Sequence, residues 1–140
     1  MANEPNSRGE VTIDLDATYV MRPSYEAIEE IESQTNRGIV ALVNMAAQGE
    51  LKLGDAAIIV TECIKSWGKQ QVAEGNATPI TRSAAGANVK KVASLIHEGG
   101  IVRATERCAI VLMAAATGGV TSSGEWKPAM ETETAIPDAG

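Results

Sequence analysis

From Ala56 to Trp67 apolar residues recur at the spacings i, i+3, i+4, i+7, i+8 and i+11, as Ala56, Ile59, Val60, Cys63, Ile64 and Trp67. These positions share one face of an α-helix, so the spacing predicts an amphipathic helix whose apolar face must be covered by other elements. Asp55 stands where an N-cap is expected, and Gly68 where such a helix would stop. The covering elements must also be slim. The 140 residues are 44% hydrophobic but only 3% aromatic, with no Phe, which leaves Ala, Val, Ile, Leu and Met to fill the core. Small aliphatic side chains favour closely packed helices. A chain of this length buries about two-thirds of the surface its unfolded state exposes, so one domain can form without a disulfide or metal staple.

On either side of that helix the pattern reads as follows. Val11, Ile13 and Leu15 alternate with polar residues, and Thr18-Tyr19-Val20-Met21 is a second β-prone run, which predicts a hairpin over Glu10 to Arg22 without an Asn-Gly turn. Pro23 stops the second strand and Ser24 caps a helix from Tyr25 to about Gln34. Tyr25, Ile28 and Ile31 are expected inward there, and Glu26, Glu29, Glu30 and Glu32 largely outward. Ile39, Val40, Leu42, Val43 and Ala46 form a short second helix that ends at Gly49. Lys69 to Arg82 reads as a polar connection. Ser83 then caps a fourth helix reaching His97, weakened at Gly86 by roughly 1 kcal/mol relative to Ala. Gly99-Gly100 turns the chain into a last helix, Val102 to about Ala116, with Thr105, Cys108, Ala109, Leu112 and Ala115 or Ala116 inward. The fold class is α+β but mainly α: an N-terminal hairpin followed by a bundle of about five short helices over 9–118. Residues 1–8 read as a flexible leader and 119–140 as a disordered tail carrying Trp126 and Met130.

Chemistry is sparse. His97 is the only histidine and sits at a predicted helix end, where a cation interacts favourably with the dipole. Cys63 and Cys108 lie within apolar helical patterns, without metal-ligand spacing, and read as reduced core residues. No G-x-S-x-G elbow or Gly-rich phosphate loop occurs, so no catalytic, cofactor-binding or metal-binding residue is assigned. A net charge of −6 and a pI near 4.8 argue against sequence-independent nucleic-acid binding, which is driven by phosphate neutralisation. The apolar runs are too short to span a bilayer, and Met1 to Glu10 holds no apolar signal core, so the chain is expected to stay in the cytoplasm where it is made. Its charge is bipolar. Glu26, Glu29, Glu30 and Glu32 crowd the early helix, whereas Arg82, Lys90, Lys91, Arg103 and Arg107 gather later. Such a pattern serves solubility, or self-association and capture of oppositely charged partners.

Three stretches carry a resemblance: Gly9-Glu10-Val11, then Arg22-Pro23-Ser24-Tyr25-Glu26-Ala27-Ile28-Glu29-Glu30-Ile31-Glu32, then Thr35-Asn36-Arg37-Gly38-Ile39. With Leu51-Lys52-Leu53, Gly54-Asp55, Ala57-Ile58-Ile59-Val60 and Ile64 to Gly68, the chain resembles the gene-transfer-agent-type family of phage tail assembly chaperones, also labelled tail tube proteins. The likeness runs from Gly9 to Gly68 and, more loosely, from Ser83 to Gly119; the segment between is longer than the family pattern suggests. The resemblance implies a non-catalytic protein that binds the helical tape measure protein, and secondarily tail tube protein, while tails assemble. The surfaces nominated for contact are the hairpin with Tyr19 and Met21 and the helix faces around Ile28, Leu42 and Trp67, although ordinary core packing is the stronger reading of each residue taken singly. A structural tail component is the alternative, and a small nucleic-acid-binding regulator a weaker one.

Overall fold

Strands β1 (Val11–Asp14) and β2 (Thr18–Met21) pair antiparallel, with Val11 opposite Met21 and Ile13 opposite Tyr19. The two-residue period puts those four side chains on one buried face and turns Thr12, Asp14 and Thr18 outward. In place of an Asn-Gly turn, the Thr18 hydroxyl donates to Asp14 Oδ1 at 2.7 Å and the Leu15 N–H donates to the Ala17 carbonyl at 2.9 Å. The computed structural model describes residues 9–118, so the leader and the tail expected from the sequence lie outside the described residues.

Among the described residues six helices follow, against the expected bundle of about five: α1 (Tyr25–Thr35), α2 (Ile39–Ala47), α3 (Leu53–Ala73), α4 (Pro79–Ala85), α5 (Val89–Gly99) and α6 (Ile101–Ala116). Ser24 caps α1 as expected, its hydroxyl accepting from the Ala27 N–H at 3.2 Å. The buried residues of α1 are Ala27 and Ile31, four apart. Tyr25 lies two positions before Ala27 on the other side of the helix, and it is 60% exposed instead of inward. Glu26, Glu29 and Glu30 are outward, but Glu32 has a second task. Asn36 adopts the left-handed conformation that ends α1, and Glu32 Oε2 then accepts from the Ile39 N–H at 2.8 Å. Gly38 has no side chain to cap α2, so a carboxylate from the preceding helix does so.

The remaining elements are arranged around α3. It packs against α1, α4, α5, α6 and β2, and at 21 residues it spans about 31 Å. The predicted apolar face is there: Ala56, Ile59, Val60, Cys63 and Ile64 are essentially closed to solvent, and Trp67 is partly buried. Its ends differ from expectation. Lys52, not Asp55, is the N-cap residue, and Asp55 lies in the first turn with its carboxylate 3.5 Å from Arg37 Nε. The helix also continues through Gly68. A Cβ at that position would stand 2.6 Å from the Thr81 carbonyl oxygen and 2.8 Å from Ala84 Cβ, so the residue is small because α4 lies against it, not because the helix stops.

The expected polar connection from Lys69 to Arg82 is therefore the last turns of α3, a short loop and the start of α4. Thr78 caps α4 through a reciprocal pair with Thr81, and Pro79 occupies the first helical position. The single helix expected from Ser83 to His97 is two: α4 ends at Gly86, and Asn88 caps α5 by accepting from the Lys91 N–H at 2.8 Å. In α6 the expected Thr105, Cys108 and Leu112 are buried, joined by Ala104, Val111 and Ala114. Gly68→Ala should overpack against α4 at a cost of about 1–3 kcal/mol, seen as a lower urea midpoint with an unchanged slope.

Candidate functional site

The residues nominated from sequence occupy different layers of the molecule. Met21 and Leu42 have no exposed surface and Tyr19 is 5% exposed, so these three are interior side chains in this conformation. Ile28 and Trp67 are partly buried at the edge of the core. Tyr19 joins the hairpin to α4: its hydroxyl donates to Asp16 Oδ1 at 2.9 Å and lies 3.2 Å from Ser83 Oγ. It borders a cleft of ≈ 290 Å³ whose wall includes Leu15, Arg82, Lys91 and Leu95, with Lys91 Nζ 4.0 Å from Asp16 Oδ2. A wider groove of ≈ 510 Å³ between α1 and α3 is rimmed by Glu26, Glu29 and Glu30 of α1 and by Glu62, Lys65 and Lys69 of α3. There Glu62 is held by Gln34 Nε2 at 2.8 Å and Lys65 Nζ at 3.7 Å. The acidic face read from the sequence is thus a groove wall, and Arg82, Lys90, Lys91 and Arg103 are exposed elsewhere.

Titrating chemistry is muted. Among the described residues no group of three His, Cys, Asp or Glu side chains is placed to hold a metal ion. Cys63 and Cys108 are free and buried. Burial pushes both thiols well up, with Glu62 adding to Cys63 and Cys63 adding to Cys108, which makes them poor nucleophiles. Burial also raises the Tyr19 phenol above its ordinary 10.0, Ser83 opposing and Asp16 reinforcing the shift. His97 is exposed in the last turn of α5.

What the surface does offer is aliphatic. Tyr25, Val40, Val72, Ile80, Val102 and Met113 are the exposed large apolar side chains among the described residues, and three of the six belong to the packed pair α2 and α6. Sequence reasoning assigned α6 one inward stripe and missed this excess. The signal was present: Ala109 to Ala116 is an unbroken apolar run, and a single core-facing stripe uses only part of it.

A family model described as phage tail tube protein, GTA-gp10, and grouped with the phage tail assembly chaperones, matches residues 8–100. The chain belongs to this family. The match begins just before the hairpin and ends at Gly100, leaving α6 beyond it. No curated protein and no solved structure gives a significant match. Tail assembly chaperones are generally non-catalytic. No helix among the described residues is long and apolar enough to cross a membrane.

The raised acids set the alkaline stability of this family member. Each keeps its proton in the folded state after the unfolded chain has lost it, so their contribution is complete below the unfolded values and disappears as pH rises through the folded ones. Stability should fall from about pH 9 as unfolded thiols ionise, and more steeply from about pH 10 as the phenol joins them. Urea titrations across this range should show Tyr19→Phe abolishing the second component alone.

Proposed function

We propose that the chain is a non-catalytic tail assembly chaperone that binds the tape measure protein, and secondarily tail tube protein, in the cytoplasm of a host bacterium during tail morphogenesis. The family match from the hairpin through α5 carries this reading. Its physical support is the kind of surface the molecule has. A protein that keeps a long amphipathic partner soluble needs aliphatic helix faces, and α2 and α6 expose Val40, Val102 and Met113. The net charge of −6 disfavours nucleic acid as a partner and suits a soluble escort.

The family's description as a tail tube protein favours a second reading, in which the chain is a structural tail component. A tube built as a continuous ring of sheet needs long strands with edges free to pair. Among the described residues the sheet is one hairpin with four residues in each strand. That geometry supports the chaperone reading over the tube reading.

Affinity purification of tagged protein from particle-producing cells separates the two. The chaperone reading expects the tape measure protein to co-purify and the finished particles to lack this chain. Stoichiometric amounts of it in purified particles would establish the structural reading instead.

A further inference from the structure

The aromatic side chains of the described residues are placed very differently. Tyr19 is interior and Trp67 is partly buried, but Tyr25, at the start of α1, is 60% exposed. Ala27 and Ile31 are the buried residues of α1. A step of about 100° per residue sets Tyr25 on the far side from them, with exposed Glu29 one turn further along and exposed Glu26 beside both. A single exposed apolar side chain is ordinary. What sets Tyr25 and its carboxylates apart is that the same chain also carries their complement.

That complement is the cleft bordered by Tyr19. Its ≈ 290 Å³ is room for one aromatic ring, and Leu15, Ile64, Val92 and Leu95 supply an apolar lining. Arg82 and Lys91, both exposed, add two cations to its wall against the single carboxylate of Asp16. Asp16 Oδ2 stands 4.0 Å from Lys91 Nζ, an exposed pair of the kind that is worth little and gives way to an incoming carboxylate.

The ring and the cleft cannot meet within one molecule. On α3, Ile64 lines the cleft, whereas Glu62, Lys65, Ser66 and Lys69 line the groove beside α1. Ile64 stands roughly 150° round the helix from the mean direction of those four, taking about 100° per residue. The cleft and α1 therefore lie on opposite sides of α3, and Tyr25 is on the side of α1 away from its buried residues. Only a second copy can bring the two patches together. A contact between unlike patches is heterologous, so it passes from copy to copy instead of closing as a two-fold pair.

We propose that the cleft between the hairpin, α4 and α5 receives Tyr25 of a second copy of this chain, with that copy's Glu26 and Glu29 set against Arg82 and Lys91. A buried aromatic anchor gives such a contact its strength, and the opposed charges give it register. The contact rests on neither the chaperone reading nor the tube reading.

Two substitutions at exposed positions separate the two halves of the contact. Tyr25→Ala removes the ring and leaves the cleft, and Arg82→Glu spoils the cleft and leaves the ring; Glu29→Lys is an independent block on the ring side. Far-UV spectra and urea midpoints of these variants should match the unaltered chain. In sedimentation velocity at low salt, the unaltered chain should rise above its monomer mass of 14.6 kDa as concentration increases, and fall back as salt is added. Each variant alone should stay monomeric to about 1 mM. Tyr25→Ala mixed with Arg82→Glu should give a dimer of one copy of each and nothing larger, because one usable ring and one usable cleft remain between them. An unaltered chain that stays monomeric to about 1 mM, single variants that still assemble, or a mixture that does not pair overturns the proposal. Assembly lost on Trp126→Ala but kept on Tyr25→Ala overturns it too, and gives the cleft to Trp126.

Discussion

Close approach to α3 is the constraint on which the other elements depend. Without Phe and with few aromatic side chains, the protein cannot fill a wide interior, so its elements must come near one another. α3 allows this because Ala56, Ala57, Thr61, Cys63 and Gly68 are small where neighbours arrive. At Gly68 the approach is close enough that α4 leaves no room for a methyl group. Polar ties then fix orientation. The Arg22 N–H donates to the Cys63 carbonyl at 3.0 Å, and Ser24 Oγ lies 2.7 Å from Ser66 Oγ, which join the end of the hairpin to the middle of α3. The start of α1 is thereby placed against the same helix.

Where local chemistry and tertiary contact agree, the sequence was legible. Alternation in β1 and β2, the Ser24 cap and the apolar period of α3 all describe what formed, because each is decided within a few residues. Gly68 and Gly86 show the opposite case. Both are glycines within a helical stretch; one is tolerated inside α3 because of a neighbour distant in sequence, and the other ends α4. Nothing local separates them. The Thr78 and Thr81 pair, lacking the usual Glu or Gln at its third position, hid the start of α4 in a stretch that reads as polar loop.

The candidate surfaces were less legible than the fold for a related reason. Periodicity says which side chains share a face, not what covers that face. Met21 and Leu42 were correctly placed on apolar faces, and the structure covers both completely. The acidic row of α1 was visible as charge, but its position along a groove with Glu62, and the use of Glu32 to cap α2, depend on how the helices meet. Apolar excess in α6 could have been read from the run at Ala109 to Ala116, had it been compared with the width of one buried stripe.

The position of α6 at the end of the described chain also sets a timetable. Everything it covers precedes it, so a ribosome delivers α2, α3 and the hairpin before the helix that closes over them. At about 5–20 residues per second, the 16 residues of α6 take roughly one to three seconds to synthesise. During that interval Leu42, Val43 and Ala46 lack their main cover. A nascent molecule therefore passes through a brief state whose stickiness the completed one has hidden.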